Sequence, residues 1–291
     1  MDKLLTIFTP TYNRANTLVR LYNSLLAQTI DDFIWLIVDD GSTDNTKEIV
    51  GEWIKDGLIK IQYYKQSNQG KSMAHNKGVE LTNTELFVCV DSDDYLEKNT
   101  IEEIKNTKYN VRENIVGILS PRLIKNKNKN FVICKSTENT FTTLKNAYDN
   151  LGLKVDTMLV IKTRYLKKYK FPYFENEKFV PEAYLYDLID QEGEYIVLNK
   201  HLYLCEYLDE GYTKNMAKTI KNNPNGYIAY IRQRINFETN LKCKFLDYIR
   251  YIAIAKCTKY EKIHMDKKDT ILKLLAYPFG VLLYFKKYSK I

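Results

Sequence analysis

The sequence predicts an α/β protein: a mostly parallel central sheet flanked by helices, followed by a C-terminal helical extension. Two observations in the first hundred residues carry the sheet, and a third carries the extension. Apolar runs of strand length alternate with stretches whose apolar residues recur at the helical period. Those runs are apolar throughout rather than at every second residue, the pattern of strands buried on both faces of a parallel sheet. From Met216 onward the chain reads as helix, through NGYIAYIRQRINFETNLKCKFLDYIRYIAIAKC, with basic residues throughout.

The elements follow in order. Leu4–Thr9 is a short β-prone run closed by Pro10. Thr17–Gln28 sets Leu18, Leu21, Tyr22, Leu25 and Leu26 at helical spacing. Phe33–Val38, FIWLIV, is a second strand and ends in DDGSTDNT. Thr46–Ile54 is a second helix, with Ile49, Val50, Trp53 and Ile54 on one side. Ile59–Tyr64 is a third strand. NQGKSMAHNKG then leads to a fourth, Glu85–Val90. Beyond about Lys105 the pattern loosens. Leu123–Ile133 reads as a hairpin with a lysine-asparagine tip, and 140–215 mixes short elements with aromatic loops. The expected division is 1–215 for the α/β domain, with halves 1–104 and 105–215, and 216–291 for the helical region.

Composition narrows the partners. With 45% hydrophobic and 27% charged residues, the chain has an ordinary globular balance. A net charge of +8 suits anionic partners such as nucleotides or phospholipid surfaces. No concentrated basic stripe marks a nucleic-acid binder. The five cysteines are odd in number and form no CxxC pair, so they read as buried thiols in a reducing, cytoplasmic compartment. The three histidines are scattered, which argues against zinc. The opening MDKLLTIFTPTYNR has too short an apolar run for a signal peptide. No stretch reaches the ~18 apolar residues of a spanning helix.

Ligands of parallel sheets bind beyond the carboxyl ends of the strands. Three polar clusters fall there: Thr9-Pro10-Thr11, Asp39-Asp40-Gly41-Ser42 and Asp91-Ser92-Asp93-Asp94. They are expected to converge on one crevice. The last, within VCVDSDDYLE, crowds three carboxylates into four positions, and charges that close repel. Four readings compete. One is a solvated turn. Another is a calcium loop built on Asp91, Asp93 and Glu102, but Leu96 stands where that loop needs glycine and Tyr95 at a ligand position. A phosphoacceptor aspartate is the third. The fourth is a divalent metal shared between carboxylates and a substrate's phosphates, which removes the repulsion. Asp39 and Asp40 at another strand end favour the fourth.

The segments TIFTPTYNRANTLVRLYNSLLAQTIDDFIWLIVDDGSTDNT, NQGKSMAHNKG and LFVCVDSDDYLE, in that order and spacing, resemble family 2 glycosyltransferases over roughly the first hundred residues. Enzymes of bacterial capsule and cell-wall polysaccharide assembly belong to that family. The resemblance implies the Rossmann-like GT-A fold and an inverting mechanism. It also implies a nucleotide-diphosphate sugar donor, usually a UDP-sugar, and Mn2+ or Mg2+. The acceptor would be a hydroxyl of a glycan or lipid-linked glycan. Two rivals fit less well. A sugar-nucleotide nucleotidyltransferase would carry a glycine-rich loop after the first strand, and TPTYNRANT has no glycine. A non-catalytic binding module would not need the intact acidic cluster.

The resemblance assigns roles to the matched positions. Thr9, Pro10, Tyr12 and Arg14 line the nucleotide pocket, where a tyrosine face can pack on a base and an arginine can meet phosphate. Asp39 accepts a hydrogen bond from the base, and Asp40 supports the turn or the ribose. Gly41 permits a left-handed backbone, and Asp44 caps the next helix. Gly70 and Lys71 sit near the donor, with Asn76 on the following helix; Lys71 neutralises diphosphate, and His75 is left to helix surface or packing. Asp91 contacts the ribose or the metal, Asp93 is the direct metal ligand, and Asp94 is second or faces the sugar. Ser92 is the variable position between them.

Single displacement needs a carboxylate to take the acceptor's proton. No Glu-Asp pair stands where the family usually has one. ENEKFVPEAYLYDLI offers Glu182 first, with Asp187 and Glu177 behind it. HLYLCEYLDEGYTKN resembles the strand and closing loop over the donor, with Tyr207, Tyr212 and Lys214 as contacts and His201 in strand packing or at the metal. The tail 270–291, interrupted by Pro278 and Gly280 and ending in Lys286, Lys287 and Lys290, has two readings. It suits an interfacial segment on the anionic inner face of a membrane. It equally suits a last helix packed on the core or on a second subunit of a homo-oligomer.

Overall fold

The computed structural model describes residues 3–124, 140–205, 215–258 and 269–289. The expected alternation appears as β1 (Leu5–Thr11), α1 (Ala15–Leu26), β2 (Phe33–Asp39), α2 (Thr46–Asp56), β3 (Ile61–Lys65), α3 (Lys71–Leu81) and β4 (Leu86–Cys89). Every residue of β1 is buried, and in β2 only Ile34 is partly exposed. The strands lie side by side in the order β3-β2-β1-β4, all parallel. Thr11 pairs with Asp39, and Asp39 with Lys65, so neighbouring strands present their carboxyl ends together. Helix α1 covers one face with the fully buried Leu18, Leu21 and Leu25. Tyr22 and the two tryptophans stack there, with ring centroids 4.2 Å apart for Tyr22 and Trp53 and 5.8 Å for Trp35 and Trp53.

The following stretch contributes β5 (Tyr95–Leu96), α4 (Thr100–Asn106), β6 (Ile115–Ile124), β7 (Phe141–Thr142), α5 (Leu144–Asp149), β8 (Thr157–Lys162), α6 (Thr163–Leu166), α7 (Ala183–Ile189), β9 (Glu194–Val197) and β10 (Tyr203–Cys205). The sheet continues β4-β8-β6-β10-β5, with β9 on β6 and β7 on β9. Strand β8 runs antiparallel to both neighbours, while β6 pairs in parallel with β9 and β10. The sheet is thus parallel in its first half and mixed in its second. The expected hairpin over Leu123–Ile133 lies outside the described residues beyond its first two, which end β6.

The chain divides into two compact units: Met1–Lys170 with Leu185–Tyr207, and Phe171–Tyr184 with Leu208–Ile291. The segment 171–184 therefore joins the helical unit, whereas the sequence reading kept all of 1–215 together. That unit holds α8 (Met216–Asn222), α9 (Pro224–Phe237), α10 (Leu241–Ala255) and α11 (Thr270–Lys287). Glu177 explains the attachment: its carboxylate accepts from Asn225 N–H at 3.0 Å and Gly226 N–H at 2.8 Å, satisfying free donors at the start of α9. Asn240 does the same for α10, accepting from the N–H groups of Lys242 and Cys243.

Two expectations change here. Helix α11 runs unbroken through Pro278 and Gly280. Tertiary packing overrides the ~3 kcal/mol proline penalty: Ala276 and Gly280 are buried on this helix. A Cβ on Gly280 would come within 2.6 Å of Ile252 Cβ, so this glycine permits close approach to α10. Cys89, Cys205, Cys243 and Cys257 form no disulfide among the described residues and are half-buried, Cys205 and Cys257 lying against the hydrophobic clusters rather than fully inside them.

Candidate active site

The site is built from the ends of β1, β2 and β4, all in the first unit. At the end of β2 the carboxylates turn inward. Asp39 is fully buried; its Oδ1 accepts from Ser42 N–H at 2.7 Å, and its Oδ2 accepts from the Tyr63 hydroxyl at 2.5 Å. Burial and that hydrogen bond to Asp39 push the Tyr63 phenol far up, so it stays a donor. Asp40 accepts from Gln66 Nε2 at 2.8 Å, Gln69 N–H at 2.9 Å and Gly70 N–H at 2.7 Å. Gly41 between them and Ser42 has φ 87°, and a Cβ there would sit 3.0 Å from the backbone nitrogen of Asn68. Only glycine takes that left-handed turn so close to another backbone at little cost.

This turn positions the next cluster. Asp40 holds Gly70, and the following residue, Lys71, opens α3 with its ammonium 2.5 Å from Asp91 Oδ1. Two strand tips are thereby tied by one short chain of contacts. At the end of β4 the turn Asp91–Asp94 closes with Asp94 N–H donating to the Asp91 carbonyl at 3.0 Å. From β6, Arg122 reaches in, Nη1 lying 3.7 Å from Asp91 Oδ2 and 3.8 Å from Asp94 Oδ2. Its guanidinium sits over the Tyr203 ring, 4.0 Å from the centroid. The Tyr203 hydroxyl donates to Asp94 Oδ2 at 2.7 Å and accepts from Asp91 N–H at 3.0 Å.

The three aspartates end up in different electrostatic states. Burial disfavours the charge on Asp91, but Lys71 and then Arg122 outweigh it and hold the carboxyl below its ordinary value. Burial, then the Asp91 charge, push Asp94 up to about 7. Asp93 is half-buried; its backbone carbonyl accepts from Arg20, and no described residue pairs with its carboxylate.

That distribution bears on a metal. Among the described residues no group of three His, Cys, Asp or Glu side chains forms a closed cage. Mg2+ or Mn2+ bound together with phosphate needs only one or two protein carboxylates. Asp93 fits that requirement, whereas Asp91 is already engaged by two cations.

The other expected residues are distributed as follows. Thr9 is fully buried with its hydroxyl accepting from Trp35 Nε1 at 3.0 Å, and Pro10 is buried beside it. Tyr12 is 48% exposed just past β1, and Arg14 is half-buried at the start of α1. Asn13 between them has φ 52° and links the two loops, its Oδ1 accepting from Thr43 N–H at 2.8 Å. Asp44 joins two helix starts, accepting from Thr46 N–H and from Ala15 N–H, each at 3.1 Å. Ser92 is buried, and Asn76 is half-buried on α3. His75 is packed between Phe8 and Phe87. Glu182 stands in the turn before α7 within the second unit, while Asp187, on α7, belongs to the first. Glu177 is spent on capping α9. Tyr207, Tyr212 and Lys214 lie outside the described residues. Arg122 escaped sequence reasoning because it sits in a strand with no marking motif; Arg20 and Tyr203 lie inside matched segments, but nothing there singles them out.

A sheet of this order, bearing an acidic turn at the end of β4, is the GT-A fold. The S. aureus protein TarS in complex with UDP-GlcNAc superposes over 96% of this chain and 80% of its own, with a TM-score of 0.64 and 17% identity. The mannosyltransferase PcManGT from Pyrobaculum calidifontis, in complex with GDP-Man and Mn2+, superposes over 99% and 89%, with a TM-score of 0.57 and 13% identity. The glycosyl transferase family 2 model matches residues 6–170, and the chain belongs to that family. Glycosyltransferase GlyG of Streptococcus pneumoniae is 32% identical over 105 residues, 36% of this chain and 35% of GlyG. The chain thus spans about a third or less of the length of the first curated relatives it matches.

Proposed function

We propose that this family 2 glycosyltransferase moves a hexose-type sugar from a nucleotide-diphosphate donor, a UDP-sugar, to an acceptor hydroxyl on a glycan or lipid-linked glycan, inverting the anomeric centre. One observation carries the donor site: the carboxylate of Asp93, unpaired among the described residues, stands beside two acids that Lys71 and Arg122 face, at the carboxyl end of the sheet. UDP-GlcNAc in the TarS complex and GDP-Man in the PcManGT complex support a nucleotide sugar. The Mn2+ in the second supports a divalent cation.

Asp93 would hold the metal, with the donor's phosphates completing its shell. Bound there, the ion supplies Lewis acidity and a template for the leaving nucleotide diphosphate. Lys71 is half-exposed, so its ammonium can turn from Asp91 toward phosphate. Arg122 keeps Asp91 and Asp94 compensated when it does. Glu182 takes the proton from the acceptor hydroxyl as that oxygen bonds to the anomeric carbon. The bond from that carbon to the phosphate oxygen breaks, and its electron pair leaves with the nucleotide.

The test is nucleotide release from a panel of nucleotide sugars, with acceptor glycans, in Mn2+ or in chelator. Release from a uridine sugar in Mn2+ alone is the expected result. No release from any donor would contradict transfer; release unaffected by chelator would contradict the metal role.

A further inference from the structure

We infer that the outward face of α11 docks on an anionic lipid surface. The helix packs inward through a narrow band, with Leu272, Leu283 and Tyr284 half-buried against the core of this unit. Its buried positions are Lys273, Ala276 and Gly280, one narrow stripe. Lys273 is 6% exposed, its ammonium 5.4 Å from the centroid of the Tyr248 ring. On the opposite side, at helical spacing, Ile271, Leu274, Leu275, Phe279, Leu282 and Phe285 are 54–77% exposed. Pro278 falls in the same stripe. A surface helix of a globular protein ordinarily turns polar residues outward, and a continuous apolar patch marks an interaction site.

Charge selects the occupant. Residues 270–289 contain three lysines and no acidic residue. Lys286 and Lys287 are exposed at the end of the apolar stripe. The acid just before the helix, Asp269, is held by Lys244 at 2.9 Å and the Tyr248 hydroxyl at 2.6 Å. Two copies meeting through this face would therefore bring lysines together without acids to receive them. Anionic headgroups supply those partners, and the acyl boundary covers the leucines and phenylalanines. The 18-residue helix is about 27 Å long. Among the described residues no helix is long and apolar enough to cross a membrane, so α11 would lie in the interface plane.

Co-sedimentation of the full chain with vesicles tests this directly. Vesicles of equal parts phosphatidylcholine and phosphatidylglycerol should capture the protein, and phosphatidylcholine vesicles should capture far less. Leu274→Glu with Leu282→Glu should abolish capture at an unchanged melting temperature; Leu274→Ser with Leu282→Ser serves if the charged pair lowers the melt. Lys286→Gln and Lys287→Gln should each weaken anionic capture about fivefold. Failure of the anionic vesicles to capture the protein would overturn the inference, as would undiminished capture of the leucine variants. So would a dimer that the leucine variants convert to monomer, which would assign the face to a second copy. None of these readouts depends on sugar transfer.

Discussion

The tips of β2 and β4 carry the same kind of residue and use it in opposite ways. At β2, Asp39 and Asp40 are buried; Asp39 accepts from Ser42 N–H and the Tyr63 hydroxyl, and Asp40 from Gln66, Gln69 and Gly70. Those bonds fix the turn and the placement of Gly70. At β4, Asp91 leans on two cations, Asp94 has its pKa raised to about 7, and the Asp93 carboxylate has no partner among the described residues. On the reading proposed above, the count of hydrogen bonds per carboxylate, not the acidity of the motif, separates scaffold from chemistry. A carboxylate already holding three donors has little left for a ligand, and removing it strands those donors.

Substitutions can break or sharpen that contrast. The largest effect is expected from Asp93→Ala: transfer should fall about a thousandfold, with the urea midpoint unchanged. Next comes Asp40→Ala, which should lose about 3 kcal/mol of stability in urea unfolding, because Gln69 and Gly70 N–H groups lose their acceptor. If instead Asp40→Ala stays stable but dead, the turn is chemistry after all. Glu182→Gln should slow transfer about a hundredfold with donor affinity intact; if turnover persists, Asp187 is the next residue to test.

The smallest effect is a pH dependence at Asp94. Its folded pKa, about 7, lies above the ordinary 3.8. The folded state therefore binds the proton more tightly than the unfolded one, and this group's contribution to stability falls as pH rises from about 4 through 7. Asp94→Asn removes that loss. It should gain about 2 kcal/mol over the parent at pH 8, the gain shrinking as the pH is lowered toward 4. A gain independent of pH would mean that Asp94 does not titrate there.

The parallel half of the fold was legible because most of its strands are near-continuous apolar runs between turn residues; LTIFT and FIWLIV need no context to be read, while the edge strand IQYYK is polar and largely exposed. The mixed half was not. Strands such as Tyr95–Leu96 and Tyr203–Cys205 are two or three residues long, too short for any period; β10 forms on the edge that β6 offers, and β5 on the edge of β10. The same reason hid half of the site. Asp39, Asp40, Lys71 and the Asp91–Asp94 turn belong to contiguous motifs, whereas Arg122 and Tyr203 reach Asp94 from residues 28 and 109 positions further along the chain. Asp39, expected from the resemblance to contact the base, accepts one hydrogen bond on each oxygen, from Ser42 N–H and the Tyr63 hydroxyl. At α11 the sequence cue failed differently: Pro278 and Gly280 looked like breaks, and close packing on α10 keeps the helix whole.

Calorimetric titration of UDP into the parent, Asp93→Ala and Asp40→Asn proteins, with and without Mn2+, addresses the central claim most directly. The account predicts that Mn2+ tightens UDP binding to the parent and to Asp40→Asn, and that Asp93→Ala, equally well folded, loses this enhancement. Mn2+-tightened binding that survives in Asp93→Ala would contradict it.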